Sequence, residues 1–335
     1  MILRHLALPL CALLLCAADY PDPPPALAPY IEDGRLQPGD YAWIEGSFAD
    51  APPGKKAEFQ AIQDWADRCL DTGKAEARVA LAAAGFPTAG LDGVDIGPLA
   101  CRQAKVHPRQ VELTSYARLQ QDMTLAKPVA ESFLMAVGLA TQLGGGGGDF
   151  ARGLAARIQL DQMLARSLGW GDGEASAGAP ALPPVAKAIV QARMNTAYMA
   201  QAERNTDWLR AAVAREGWPT QSAHGRDASF QAWLLVQHSD HDPLFQLEML
   251  RLMEPLTARG EASKSNFAYL HDRVMLKLTG KQRYGTQVRC VDGKRQPQPL
   301  EDEAALAGSR AEAGLEPEAD YLAGLDRLFG PCPAG

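Results

Sequence analysis

The sequence predicts a mainly α-helical protein: a helical N-terminal region, then a C-terminal helical domain with one small β-hairpin near residues 284–298. Three observations lead there. Apolar side chains recur at helical spacing along most of the chain, as in Phe59, Ile62, Ala66 and Cys69. Prolines and glycines stand where helices start and stop, as at Pro128, Pro184, Gly217 and Gly280. A strong hairpin turn signal, Asp292-Gly293, lies between Gln287-Val288-Arg289-Cys290-Val291 and Lys294-Arg295-Gln296.

Composition narrows the class. Of 335 residues, 47% are apolar and 22% charged, which suits a globular chain able to bury a sizeable core. The formal net charge of −7, with no dense Lys/Arg stripe, argues against a nucleic-acid partner.

Residues 1–18 read as a signal peptide. Arg4 and His5 precede an apolar run from Leu6 to Cys16, and small residues follow. The run is too short for a permanent membrane span. Cleavage is expected after Ala18, placing the protein in the periplasm or cell envelope. The alternative is a lipoprotein with acyl chains on Cys16, the one route expected to a membrane; Leu15 before it is bulkier than that processing favours. Beyond the signal remain Cys69, Cys101, Cys290 and Cys332, an even set that reads as two disulfides in an exported chain. Three connectivities are open, and proximity favours Cys69–Cys101 with Cys290–Cys332. Their spacing suits no zinc site.

In chain order, residues 19–55 read as an extended spacer opened by Pro21, Pro23, Pro24 and Pro25. The helical N-terminal region covers 56–169. It starts with a helix over 56–71, with Trp65 beside its apolar stripe as a core residue, and a second over 74–85 ended by Gly85. The stretch 86–104 reads as a loop pinned by Cys101. Pro128 is expected at the first turn of a helix carrying Val129, Phe133, Val137 and Ala140. The five glycines 144–148 lack the Gly-Lys-Ser/Thr of a phosphate loop, so they read as a connector and no cofactor is expected. A helix over 149–169 carries Leu154, Ile158, Leu164 and Leu168. Residues 170–183 read as a linker to a second domain over 184–330.

In that domain Pro184 opens a helix, and Asn205 reads as the N-cap of another that runs to Gly217. Helices are expected over 228–238, 243–258 and 264–278, with Asp242-Pro243 as N-cap and first-turn proline.

Polar residues able to do chemistry concentrate over 217–287. Gly217-Trp218-Pro219, Gly225, Gln237-His238-x-Asp240, Gln246, Asp272-Arg273-Val274, Gln282-x-Tyr284-Gly285-Thr286-Gln287 and Arg310-x3-Gly314-Leu315 stand there and just beyond. Together they resemble a bacterial domain family of unknown function marked by a Tyr-Gly-Thr-Gln motif, over about residues 205–325. The resemblance implies a shared fold and shared special positions, and it brings no established reaction.

Two uses of these residues are considered. His238, His241 and Asp242 would share a face on one continuous helix and could hold a metal, but a helix start at Asp242-Pro243 breaks that geometry, so no metal is expected. A metal-independent acid/base site is the sharper alternative. There His238 is the base, Asp272 orients it, and Arg273 clamps an anionic group. Tyr284 and Gln287 donate to developing charge, with Gln237, Thr286 and Trp218 lining the pocket. The competing view is that His238, Gln237, Asp272 and Arg273 serve the fold, and that Gly285 only supplies a positive φ. The expectation is an uncharacterised exported protein with a polar ligand-binding pocket. The alternatives are a hydrolase or lyase using His238, and a structural envelope protein.

Overall fold

A computed structural model of the chain describes residues 19–86, 90–109, 112–144, 149–169 and 181–332. The signal peptide with Cys16, glycines 145–148 and most of the expected linker (170–180) lie outside the described residues.

Among the described residues the chain is mainly helical, with two small antiparallel hairpins. The first pairs β1 (Ile31–Glu32) with β2 (Arg35–Leu36) across Asp33-Gly34, both at positive φ. It lies in the stretch expected as a spacer, which instead packs onto the protein. Leu27, Leu36, Tyr41, Trp43, Ile44 and Phe48 are all buried. The Tyr20 hydroxyl bonds Glu76 at 2.5 Å, and the indole N–H of Trp65 donates to the Pro21 carbonyl at 2.8 Å. Prolines stiffen the segment, but its interspersed large apolar residues hold it down.

Helix α1 (Pro53–Ala83) joins the two helices expected over 56–71 and 74–85. Gly73 between them is a point of close approach: a Cβ there would stand 2.3 Å from the Ile96 carbonyl oxygen. The short α2 (Leu99–Gln103) lies in the expected loop, tied to α1 by the disulfide Cys69–Cys101.

Helix α3 (Tyr116–Gly144) keeps Pro128 inside rather than at its start. It buries Leu119, Met123, Ala126 and Ala130, while Met135 and Leu139 stay exposed. By length and composition α3 could cross a membrane, with a mean hydropathy of 1.3 in an 18-residue window within Tyr116–Gln142. Helix α4 (Phe150–Leu168) starts at Asp149, whose side chain accepts from the Arg152 N–H at 2.9 Å.

Helix α5 (Pro184–Glu216) runs unbroken through Asn205, which is therefore no N-cap. Its side chain is buried, and its Oδ1 accepts from Gln201 at 2.7 Å instead. Gln201 one turn earlier and Arg157 of α4, at 3.4 Å, engage that oxygen and override the local capping preference. Helix α6 (Gln221–Gln237) carries a non-helical break at Gly225 (φ 85°), where only glycine sits without strain. Helices α7 (Pro243–Ala258) and α8 (Lys264–Thr279) follow as expected, with Asp242 capping α7 and Gly280 ending α8 in the left-handed region. The second hairpin pairs β3 (Val288–Val291) with β4 (Lys294–Pro297), again turning on an Asp-Gly pair at positive φ. Two unforeseen helices, α9 (Leu306–Glu312) and α10 (Glu318–Phe329), close the chain, and Cys290–Cys332 joins the hairpin to its end.

The apolar interior does not divide at 170–183. One cluster joins Ile44, Ile62, Trp65 and Leu119 to Ile189 and Met194, and another joins Leu81 and Leu154 to Leu209, Phe245 and Leu270. Each such leucine or isoleucine contributes about 1.5–3 kcal/mol on burial, so the two halves stabilise one another.

Candidate functional site

A cavity of about 320 Å³ lies where the N-terminal helices meet α5, α6 and α8. Val94, Asp95 and Arg102 form one wall, Tyr198 and Met199 of α5 another. The third comes from the turn after α6, with His238, Asp240 and His241, together with Lys277 of α8.

His238 is held by a residue from the N-terminal half of the chain. Its Nδ1 lies 2.7 Å from Oδ2 of Asp161 on α4, a carboxylate with no accessible surface. A carboxylate only accepts, so Nδ1 carries the hydrogen and Nε2 is left uncommitted. The Tyr198 ring meets the imidazole edge-on at 5.9 Å between centroids. Burial raises the Tyr198 phenol pKa, and the charges of Asp161 and Asp240 push it further up, so the hydroxyl stays protonated. The other oxygen of Asp161 has no hydrogen-bond partner among the described residues.

Asp240 is the hub of the wall that it shares with His238 and Lys277. It takes Nε of Arg273 at 2.8 Å, a second Arg273 nitrogen, the Lys277 ammonium, and the Gln246 amide at 3.2 Å. Burial acts to raise its pKa, yet the Lys277 and Arg273 charges and bonds hold the carboxyl far below the usual range. Burial lowers the Lys277 pKa more than Asp240 restores it. Arg102, 3% exposed, donates to the Gly97 carbonyl at 3.0 Å and pairs with Glu203, whose own carboxyl burial pushes up. His241 is held down to about 3 by burial and the nearby Arg102 charge, so it is neutral near pH 7. Asp242 caps α7 and pairs with Arg210, which takes it out of any metal set with His238 and His241. Among the described residues no three His, Cys, Asp or Glu side chains are grouped to hold a metal.

The other expected site residues fall elsewhere. Asp272 does not orient His238. It is wholly buried and accepts from the backbone N–H groups of Arg283, Tyr284 and Thr286 and from the Thr286 hydroxyl, all at about 2.9 Å. Burial acts to raise its pKa; His271 and these backbone donors outweigh that and lower it. The Tyr-Gly-Thr-Gln turn is thus tied through its main chain to α8. Gly285 (φ 64°) makes the turn, Arg310 donates to the Tyr284 carbonyl at 2.7 Å, and the Tyr321 hydroxyl to that of Thr286 at 2.7 Å. The Gln287 N–H donates to the buried Gln282 side chain at 2.9 Å. Trp218 is 4% exposed and donates to Ser229 at 3.3 Å, and the amide oxygen of Gln237 faces the Leu270 N–H and the Trp233 indole. Arg273 meets the protein's own Asp240 rather than open space.

Sequence reasoning missed Asp161, Tyr198, Arg102 and Lys277. Two left a signal. Asp161 stands three residues after Ile158 and three before Leu164, on the apolar stripe of α4, and Lys277 follows Leu270 and Val274 at seven and three. A charged residue on a buried stripe needs a partner from another element.

Residues 185–331 match the model of a family of unknown function, DUF6624. No curated protein and no solved structure matches the chain. The matched segment supplies Tyr198, His238, Asp240, His241 and Lys277, whereas Asp95, Arg102 and Asp161 precede it.

Proposed function

We propose that this is an exported cell-envelope protein that binds a small polar ligand in the cavity between its N-terminal helices and the family-matched segment. One observation carries the reading: the His238 imidazole is fixed by a buried carboxylate in the wall of a 320 Å³ cavity, within the size of small-molecule sites. The basic and apolar start of the sequence and two disulfides support export, with a lipid on Cys16 as the alternative mode of retention.

The same geometry favours a second reading, metal-independent acid/base catalysis of a hydrolase or lyase type. With Nδ1–H donating to Asp161, Nε2 is the basic atom, and the carboxylate stabilises the imidazolium formed when Nε2 takes a proton. Lys277 and Arg102 line the same cavity, each paired with a carboxylate of the protein.

His238→Gln separates the readings. Binding requires that the variant keep its melting temperature while losing a ligand-induced rise in it. Catalysis requires loss of turnover with retained binding. Unchanged binding and no turnover in either protein would remove the site from this cavity.

A further inference from the structure

The charges that line the cavity cancel. Its lining contains two carboxylates, Asp95 and Asp240, and two cations, Arg102 and Lys277. Behind them Glu203 pairs with Arg102, Arg273 pairs with Asp240 and Asp161 stands against His238, which adds one cation and two carboxylates. The cations are therefore already neutralised by the protein's own carboxylates. An anionic ligand would have to compete with Asp240 for Arg273 and Lys277, and a cationic one would have to draw Asp240 away from them.

The uncommitted groups are of another kind. Among the described residues nothing hydrogen-bonds the Tyr198 hydroxyl, Nε2 of His238 or either ring nitrogen of His241. His241 is uncharged near pH 7, so its ring offers one donor and one acceptor. A phenol likewise donates and accepts. Alcohol hydroxyls have this same dual capacity, whereas carboxylates and phosphates only accept.

Resting on the ligand-binding reading above, we infer that the cavity takes an uncharged polyhydroxylated ligand, a sugar unit, held by Tyr198, His238 and His241. The unit could arrive as a free monosaccharide or as the end of an oligosaccharide, and the chemistry at the cavity is common to both.

The test measures binding of four probes to the full oxidised chain by calorimetry and thermal shift: glucose, gluconate, glucose 6-phosphate and maltotriose. Glucose or maltotriose is expected to bind at least about tenfold more tightly than either anion. A preference for maltotriose assigns the site to oligosaccharide ends, and equal binding assigns it to single units. Tyr198→Phe and His241→Phe are each expected to weaken neutral-sugar binding about fivefold or more. Asp240→Asn makes the lining net positive and is expected to shift the preference toward gluconate; Asp95→Asn repeats this test without touching the Arg273–Lys277 cluster. Tighter binding of the anions by the wild type, lost in His238→Gln, would overturn the sugar assignment and leave the ligand pocket standing. Absence of binding by all four probes would overturn the sugar assignment. So would neutral-sugar binding that persists in both His238→Gln and Tyr198→Phe.

Discussion

Nδ1 of His238 lies 2.7 Å from Oδ2 of Asp161, across 77 residues of sequence. The contact joins α4 of the N-terminal region to the end of α6, and it fixes which nitrogen of the imidazole carries hydrogen. Nothing local to His238 could do this, since its own segment turns directly into the cap of α7.

Asp161→Asn tests that link. The amide can still accept, but it no longer provides the negative charge that favours hydrogen on Nδ1. Nitrogen NMR of the His238 ring at pH 8 is expected to show one tautomer, with hydrogen on Nδ1, in the wild type and a mixture in the variant. A single unchanged tautomer would show that Asp161 does not set the ring.

Asp272 is expected to behave as a structural centre. Asp272→Ala leaves three backbone N–H groups and the Thr286 hydroxyl without their acceptor, a loss of about 3 kcal/mol or more in denaturant unfolding. Tyr284→Phe, which leaves the backbone donors in place, is expected to cost less than about 1 kcal/mol. Equal losses would mean that the phenol, and not the main chain, carries the motif.

Acid sensitivity follows from two half-buried imidazoles. Burial, aided by neighbouring cations, holds His241 down to about 3 and His107 to about 4, below the ordinary 6.5 that applies to the unfolded chain. Between pH 6.5 and 4 the unfolded state therefore binds more protons than the folded one. Stability is full above 6.5 and falls as pH drops, by up to about 1.4 kcal/mol per pH unit for each group. His241→Gln and His107→Gln are each expected to flatten the fall of the urea midpoint over that range. A slope unaltered by both would remove these two groups as its cause.

Much of the helical layout was legible because it depends on near neighbours. Asp242-Pro243, Gly280 and Asp292-Gly293 each act through φ preference or a cap within three residues, and each does so in the fold. The break expected between residues 71 and 74 and the helix start expected at Pro128 were misread for a related reason. Glycine and proline mark boundaries only when packing does not fill the gap, and here the Ile96 carbonyl sits against Gly73 while α3 continues through Pro128. Asn205 reads as a cap until Gln201 and Arg157 are beside it.

The sequence by itself determined the mainly helical class, the hairpin at Asp292-Gly293 and the pairing of cysteines that proximity favoured. It also marked Gly285 and the polar set over 217–287 as special. Only the tertiary structure decided how that set divides. His238 and Asp240 go to the cavity with Asp161, Arg102 and Lys277, whereas Asp272, Thr286 and Gln287 go to the anchoring of a turn. The physical reason is range. A turn or a cap is fixed by dihedral preferences a few residues apart, but a buried charge chooses its partner from whatever helix packing brings within about 3 Å.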